Sequence, residues 1–102
     1  MEQVNVIGKE GETLKITLSG DIDLSNAEAF YTEVIAAYTT TPTNVTFVCD
    51  QLNFIDSTTL GTFVKILKEI QKNGHAMRLT GLQSKIKKLF VICSLDKIML
   101  LD

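Results

Sequence analysis

The sequence predicts a single α/β domain over residues 1–102, in which helices pack on a mixed β-sheet in the order ββαβαβαβ. Short runs of alternating apolar residues are typical of strands, and between them lie longer segments whose apolar residues recur every three or four positions, as on a helix. A hairpin followed by strand–helix–strand units predicts right-handed crossovers. A chain of 102 residues can bury roughly two thirds of its unfolded surface in one core.

The first two strands are predicted in QVNVI and LKITLSG, which are separated by the turn-forming segment GKEGET. Leu14, Ile16 and Leu18 alternate with polar residues and would share the buried face. The following segment, DLSNAEAFYTEVIAAY, carries one apolar stripe at helical spacing. Ser25 and Glu28 have the spacing of a capping box, which predicts the start of the first helix there.

The second half of the chain continues this alternation of strands and helices. VTFVCD is apolar on both faces, which predicts a central strand covered on both sides. A second helix is predicted from the apolar spacing in LGTFVKILKEI, and KNG supplies its end. AMRLTG and KIMLL are predicted strands on either side of a third helix in LQSKIKKLFVICS. The residues expected to face inward on that helix are Leu82, Ile86, Leu89, Phe90 and Cys93.

Composition and charge narrow the function classes. Hydrophobic residues make up 45% and charged residues 22%, as in ordinary soluble globular proteins. No apolar run approaches the roughly 20 residues of a membrane span, and the acidic N-terminus lacks the features of a secretory signal. Both cysteines lie in apolar runs, which indicates buried thiols in a reducing compartment, so we expect a cytoplasmic location.

Charge is distributed unevenly along the chain. Residues 1–56 contain nine acids and two lysines, a net charge of −7, whereas residues 57–102 contain eight basic and three acidic residues, a net charge of +5. The overall charge of −2 gives no basic surplus, which argues against nucleic-acid binding. A protein partner that recognises a local patch is compatible with this pattern.

The segment NFIDSTTLGTFVKIL places Asp56 and Ser57 between a strand and a helix. Serine and aspartate are favoured at helix N-caps, so a capping role alone would account for them. The same position suits a phosphate, because a helix N-terminus offers free amides and the positive end of the dipole. The two interpretations are compatible, since one residue can cap the helix while unmodified and accept a phosphate from a kinase.

A second acidic segment, GDID, precedes the first helix and contains Asp21 and Asp23. If the strands end near the same edge, these side chains would lie close to Asp56. A phosphate on Ser57 would add about −1.5 to −2 charges to this corner, which could switch partner binding without unfolding the domain. The alternative for both aspartates is a polar turn that caps the first helix.

GDIDLSNAEAF, together with the stretch from VTFVCD to KIMLL, resembles a STAS domain of the bacterial anti-sigma factor antagonist type. The resemblance covers nearly the whole chain and is most specific around Asp50, FIDS and LG. It implies that a serine kinase that doubles as an anti-sigma factor binds the unmodified protein and phosphorylates the serine after the aspartate. The phosphorylated form would release this partner until a phosphatase restores it.

The resemblance implies that Ser57 is the acceptor, that Asp56 positions it and that Asp23 lines the same corner. Family members usually have a small residue at the position of Thr59, so this chain offers Thr58 or Thr59 as a second acceptor. They also commonly carry a further helix after the last strand, where this sequence ends. The predicted partner-binding residues are Asp21, Asp23, Asp56, Ser57, Thr58 and Thr59.

Catalysis is disfavoured by what surrounds Ser57. His75 is the only histidine and follows a turn segment, and no G-x-S-x-G elbow is present. We expect no catalytic residue, metal site or cofactor, because no cluster has metal-ligand spacing and no glycine-rich phosphate loop occurs; ATP and magnesium would belong to the kinase. The alternative function is a non-catalytic STAS subunit of a stress-sensing assembly or of a lipid or anion transport complex. The intact Asp56–Ser57 pair favours the phosphorylated class.

Overall fold

The computed structural model describes all residues, Met1–Asp102, as one five-stranded sheet with three α-helices. The strands are β1 (Val4–Glu10), β2 (Thr13–Ile22), β3 (Asn44–Ile55), β4 (Met77–Thr80) and β5 (Leu100–Leu101). The helices are α1 (Ala27–Thr40), α2 (Ser57–Lys72) and α3 (Ser84–Ile92), and a 3-10 turn at Leu95–Lys97 precedes β5. The sheet order is β1-β2-β3-β4-β5, with β1 antiparallel to β2 and every other pair parallel. The predicted class and element order are confirmed.

One face of the sheet and all three helices enclose the core. Leu14, Ile16 and Leu18 of β2 are buried, as their alternation predicts. On the opposite face of the same strand, Lys15 and Thr17 are only half-buried. The buried positions of β3 and β4 continue the apolar layer across the sheet.

A chain of aromatic rings joins the helices to the central strand. The ring of Phe63 in α2 lies 5.2 Å from Phe30 of α1, 5.7 Å from Phe47 of β3 and 5.4 Å from Phe90 of α3, measured between centroids. Each of these pairs is edge-on, the arrangement that aromatic quadrupoles favour. All four rings are fully buried, so they fix the three helices against one face of the sheet.

The expectation that the central strand is covered on both sides is wrong. Phe47 and Cys49 of β3 are buried, but Thr46 and Val48 on the other face are half-exposed. The reason is topological. The strand order never reverses, and right-handed crossovers in one direction place all the helices on the same face.

Two expectations for α3 are also wrong. Leu89 and Cys93 are exposed, whereas Ile86 and Phe90 are the buried residues of this helix. The helix packs near the edge of the sheet, where β5 contributes only two residues. Such a short edge covers only a narrow stripe of the helix, so part of its apolar surface remains accessible.

The three strand-to-helix junctions lie along one edge of the sheet, because β2, β3 and β4 are parallel. β2 ends at Ile22 before α1, β3 ends at Ile55 before α2, and β4 ends at Thr80 before α3. The carboxyl edge of parallel strands is where α/β proteins usually place their binding sites. The predicted site residues all belong to the first two junctions.

Candidate functional site

Asp56 is the N-cap of α2 and joins two junctions. Its backbone is extended, with φ −118° and ψ −175°, and its Oδ1 accepts a hydrogen bond of 3.0 Å from the amide of Thr59. Its Oδ2 accepts a bond of 2.9 Å from the amide of Leu24, in the loop that precedes α1. The carboxylate therefore ties the start of α2 to the loop between β2 and α1.

These hydrogen bonds also set the charge state of the carboxyl group. The amide of Thr59 lowers the pKa of Asp56 most, and the amide of Leu24 and the hydroxyl of Thr59 lower it further, while partial desolvation opposes them. Hydrogen bonds donated to a carboxylate stabilise its ionised form. Asp56 is therefore a fixed negative charge at neutral pH.

Ser57 is the first residue of α2, and its side chain is exposed. The hydrogen bonds of this turn involve Asp56 and Thr59, and none of them uses the Ser57 hydroxyl. The first amides of a helix have no partner within the helix, so an oxyanion attached to this side chain would meet available donors. Thr58 is exposed as well, and it faces the groove between α1 and α2.

Thr59 differs from its two neighbours. Its side chain is fully buried, and its hydroxyl lies 2.5 Å from the carbonyl oxygen of Ile22 and 3.0 Å from Oδ1 of Asp56. The hydroxyl is thus used to join the end of β2 to α2. This burial corrects the expectation that Thr59 offers an accessible second acceptor or a contact for a partner.

The loop between β2 and α1 is held by its own polar side chains. Oδ1 of Asp23 accepts hydrogen bonds from the amide of Ser25, at 2.9 Å, and from its hydroxyl, at 2.5 Å. Oδ1 of Asn26 accepts from the amide of Asp23 at 2.8 Å, and Nδ2 of Asn26 donates to the carbonyl of Asp21 at 3.0 Å. The predicted capping box of Ser25 and Glu28 is wrong, because the N-cap of α1 is Asn26 and the Ser25 hydroxyl is used by Asp23.

The structure brings Asp23 and Asp56 together on one open cleft. Its five lining residues are Asp23, Leu24, Ser25, Phe54 and Asp56. The lining contains two carboxylates and no cation, so the cleft is acidic. Asp21 is exposed and pairs with Phe54 across the β2–β3 ladder, but it is not among the lining residues of the cleft.

Two apolar residues of this cleft were missed by sequence reasoning. Leu24 is 75% exposed and Phe54 is 49% exposed, although both are large and apolar. Leu24 lies outside the apolar stripe of α1. Leu52 of β3 is buried, so simple alternation would place Phe54 inward, but the pairing of β2 and β3 shifts register between Leu52 and Phe54, and Ile55 is buried instead. Exposed apolar residues beside charged ones are typical of protein interfaces.

A groove of about 520 Å³ between α1 and α2 adjoins the cleft through Leu24. Its other lining residues are Ala27, Glu28, Tyr31, Thr32, Thr58, Thr62 and Lys65. The exposed surface around Ser57 therefore extends along both helices and contains acidic, apolar and basic groups.

The fold and the site define a small α/β module with an exposed serine at one strand-to-helix junction. The chain belongs to the STAS domain family, because the model of the STAS domain matches residues 3–102. No helix of the structure combines the length and the apolar character that crossing a membrane requires.

The chain is similar to proteins of known class. The anti-sigma-B factor antagonist of Bacillus subtilis (strain 168) is 27% identical over 96 residues, which cover 93% of this chain and 87% of that protein. The crystal structure of TM1081 from Thermotoga maritima has a TM-score of 0.83 at 22% identity and covers 96% of this chain and 82% of that one. The phosphorylated form of the Bacillus cell fate determinant SpoIIAA has a TM-score of 0.74 at 19% identity, over 97% and 90% of the two chains. The two structural similarities establish a shared fold.

Proposed function

We propose that this protein is an anti-sigma factor antagonist whose partner binding is controlled by phosphorylation of Ser57. The unmodified protein would bind a serine kinase that doubles as an anti-sigma factor, and the phosphorylated protein would release it. A phosphatase would return the protein to the binding form. Membership of the STAS family and the similarity to an antagonist from Bacillus subtilis support this role.

The exposed hydroxyl of Ser57 is the observation that carries the proposal. It lies at the first position of α2, takes no part in the hydrogen bonds of the turn and follows a capping aspartate. A kinase could transfer the γ-phosphoryl group of ATP to this oxygen, with loss of the hydroxyl proton, without breaking a bond that holds the fold. Thr58 is the remaining alternative acceptor, because it is exposed while Thr59 is buried.

Electrostatics would make this modification a switch. Phosphorylation adds about −1.5 to −2 charges to a corner that already contains Asp23 and Asp56. At an effective dielectric constant near 20, two unit charges about 5 Å apart interact by roughly 3 kcal/mol, and by much less when fully hydrated. About 1.4 kcal/mol changes affinity tenfold, so a fraction of this repulsion against an acidic group of the partner suffices for release.

The test uses the anti-sigma factor kinase encoded in the same genome, purified and incubated with ATP and magnesium. Mass spectrometry of the product should locate one phosphate on Ser57. Ser84 provides a matched control, because it is also an exposed serine at the first position of a helix, α3. Ser57→Ala should abolish labelling and retain binding, Ser84→Ala should be labelled like the wild type, and Ser57→Asp should fold but bind at least tenfold more weakly.

The outcomes separate the possible roles. Phosphate found only on Thr58 would move the acceptor by one residue, and phosphate on neither residue would contradict the switch. A kinase that binds the Ser57→Asp variant as tightly as the wild type would contradict release by charge. Absence of binding to the unmodified protein would favour the non-catalytic subunit role.

A further inference from the structure

A second, smaller cleft lies on the other side of Phe54, between the end of β3 and the start of α3. Its volume is about 210 Å³, roughly the space of one large apolar side chain. The lining residues are Asn53, Phe54, Ile55, Lys85, Ile86 and Leu89. Phe54 is 49% exposed and Leu89 is 37% exposed, so both walls of the cleft present accessible apolar surface. Apart from Phe54, which also lines the cleft with Asp23 and Asp56, this surface lies outside the site around Ser57.

Local contacts hold the walls of the cleft in place. Nε2 of Gln83 donates hydrogen bonds of 3.1 Å to the carbonyl of Leu52 and 3.2 Å to Oδ1 of Asn53, which fastens the start of α3 to the end of β3. Gly81 has φ +73° and packs so closely on Asp50 that a Cβ would lie 2.1 Å from the carboxylate. The cleft is therefore formed before any partner arrives, which reduces the entropy lost on binding.

The rim of the cleft is positively charged. Lys85 lies in the first turn of α3, which contains no acidic residue, and none of the three ion pairs of the structure includes it. A lysine at the positive end of a helix dipole is electrostatically unfavourable, so a carboxylate brought to this point would be stabilised by both charges. The second cleft is thus basic, whereas the cleft with Asp23 and Asp56 is acidic.

We propose that this cleft is the second half of the surface that binds the anti-sigma factor kinase. It would take one large apolar side chain of the kinase between Phe54 and Leu89, with a neighbouring carboxylate of the kinase beside Lys85. Phe54 lines both clefts, so the apolar surface is continuous from Leu24 across Phe54 to Leu89. This inference rests on the proposed function, because it names the same partner.

Phosphorylation of Ser57 would affect the two clefts differently. The phosphate would repel an acidic group of the kinase at the cleft with Asp23 and Asp56, while the cleft with Lys85 and Leu89 keeps its charge and shape. The second half therefore supplies affinity and specificity, and Ser57 supplies the control. Phosphorylated protein should accordingly keep a weak affinity that depends on Leu89 and Lys85.

Binding of the purified kinase, measured by isothermal titration calorimetry, tests the inference with two pairs of variants. Leu89→Ser and Lys85→Glu should each raise Kd about tenfold or more, as buried anchors and paired charges do at interfaces. Ile92→Ser is the control for the first, since Ile92 is 70% exposed on the same helix but lies outside the cleft. Lys87→Glu is the control for the second, and both controls should change Kd less than twofold.

Urea unfolding and sedimentation show whether a change in Kd comes from lost contacts with the kinase or from altered folding or dimerisation. All four changed side chains are exposed, so each variant should still unfold cooperatively in urea. The midpoint of Lys85→Glu should rise slightly, because an acidic residue is favoured at a helix N-terminus, and that of Leu89→Ser should fall slightly, because Leu89 is only 37% exposed. If Ser57→Asp weakens binding while Leu89→Ser and Lys85→Glu do not, the inference is overturned and the proposed function stands. If the wild type does not bind the kinase, both fail. If sedimentation shows that the wild type dimerises and Leu89→Ser does not, the cleft holds a second copy of this chain and the inference is overturned.

Discussion

The hydroxyl of Thr59 is predicted to stabilise the junction between β2 and α2. Thr59→Val keeps the shape of the buried side chain but removes the donor that lies 2.5 Å from the Ile22 carbonyl and 3.0 Å from Asp56. Thr59 is fully buried, so water cannot replace the lost donor. Leaving a buried acceptor without its partner costs about 1–3 kcal/mol.

Urea unfolding at neutral pH measures this cost. The free energy of unfolding should fall by about 1–3 kcal/mol with an unchanged slope, and the melting temperature should fall by roughly 4–8 °C for each kcal/mol. Thr62→Val is the matched control, because Thr62 is buried on the same helix but its hydroxyl donates to the carbonyl of Thr58, one turn earlier. That carbonyl belongs to the helix ladder, so the control should change stability by less than about 0.5 kcal/mol.

Equal stabilities of the Thr59→Val and Thr62→Val variants would refute this reasoning, because the two changes remove the same atoms. So would a loss of stability below about 0.5 kcal/mol for Thr59→Val, which is the range of ordinary surface substitutions. A changed slope in the Thr59→Val variant would instead indicate that the compactness of the folded or unfolded chain had changed.

The remaining predictions concern glycines and thiols. Gly61→Ala should stabilise the protein by roughly 0.5–1 kcal/mol, because a Cβ inside α2 would meet nothing within 4 Å. Gly81→Ala should destabilise the protein, because the φ of Gly81 is +73° and the added Cβ would collide with Asp50. The urea midpoint should therefore rise in the first variant and fall in the second. Burial raises the pKa of the Cys49 thiol from 9.0 to about 12. The thiol of the unfolded chain therefore loses its proton at a lower pH than the thiol of the folded protein. As the pH rises between these two pKa values, the free energy of unfolding should fall by up to about 1.4 kcal/mol per pH unit. Cys49→Ala should flatten this part of the curve, and a slope equal to that of the wild type would contradict the prediction. Iodoacetamide should label Cys93 alone in the folded protein, because Cys93 is exposed; mass spectrometry that finds label on Cys49 would contradict it.

The sequence predicts the elements well because each has a local cause. Alternation in β2 and the three- and four-residue spacing in α2 are properties of consecutive residues, and both appear in the structure. Whether helices cover one face of the sheet or both is not determined by consecutive residues. The apolar outer face of β3 predicts a second layer, but the number of faces that helices cover depends on strand order, which neighbouring residues do not encode.

The candidate site was predictable in part for the same reason. Asp56 as N-cap and Ser57 beside it follow from the residues at one junction. That Asp23 would lie near Asp56 required the parallel arrangement of β2 and β3, which the predicted order supplies. The burial of Thr59 was not predictable, because it depends on the carbonyl of Ile22, 37 residues away.

Both carboxylate oxygens of Asp56 accept hydrogen bonds, and this affects the reactivity of the neighbouring Ser57 hydroxyl. One oxygen accepts from Leu24, the other accepts from Thr59, and the lowered pKa makes this carboxylate a weak proton acceptor. Asp56 is therefore a poor general base for Ser57. If Ser57 is phosphorylated as proposed, Asp56 would not take up its proton, and the kinase would govern when the modification occurs.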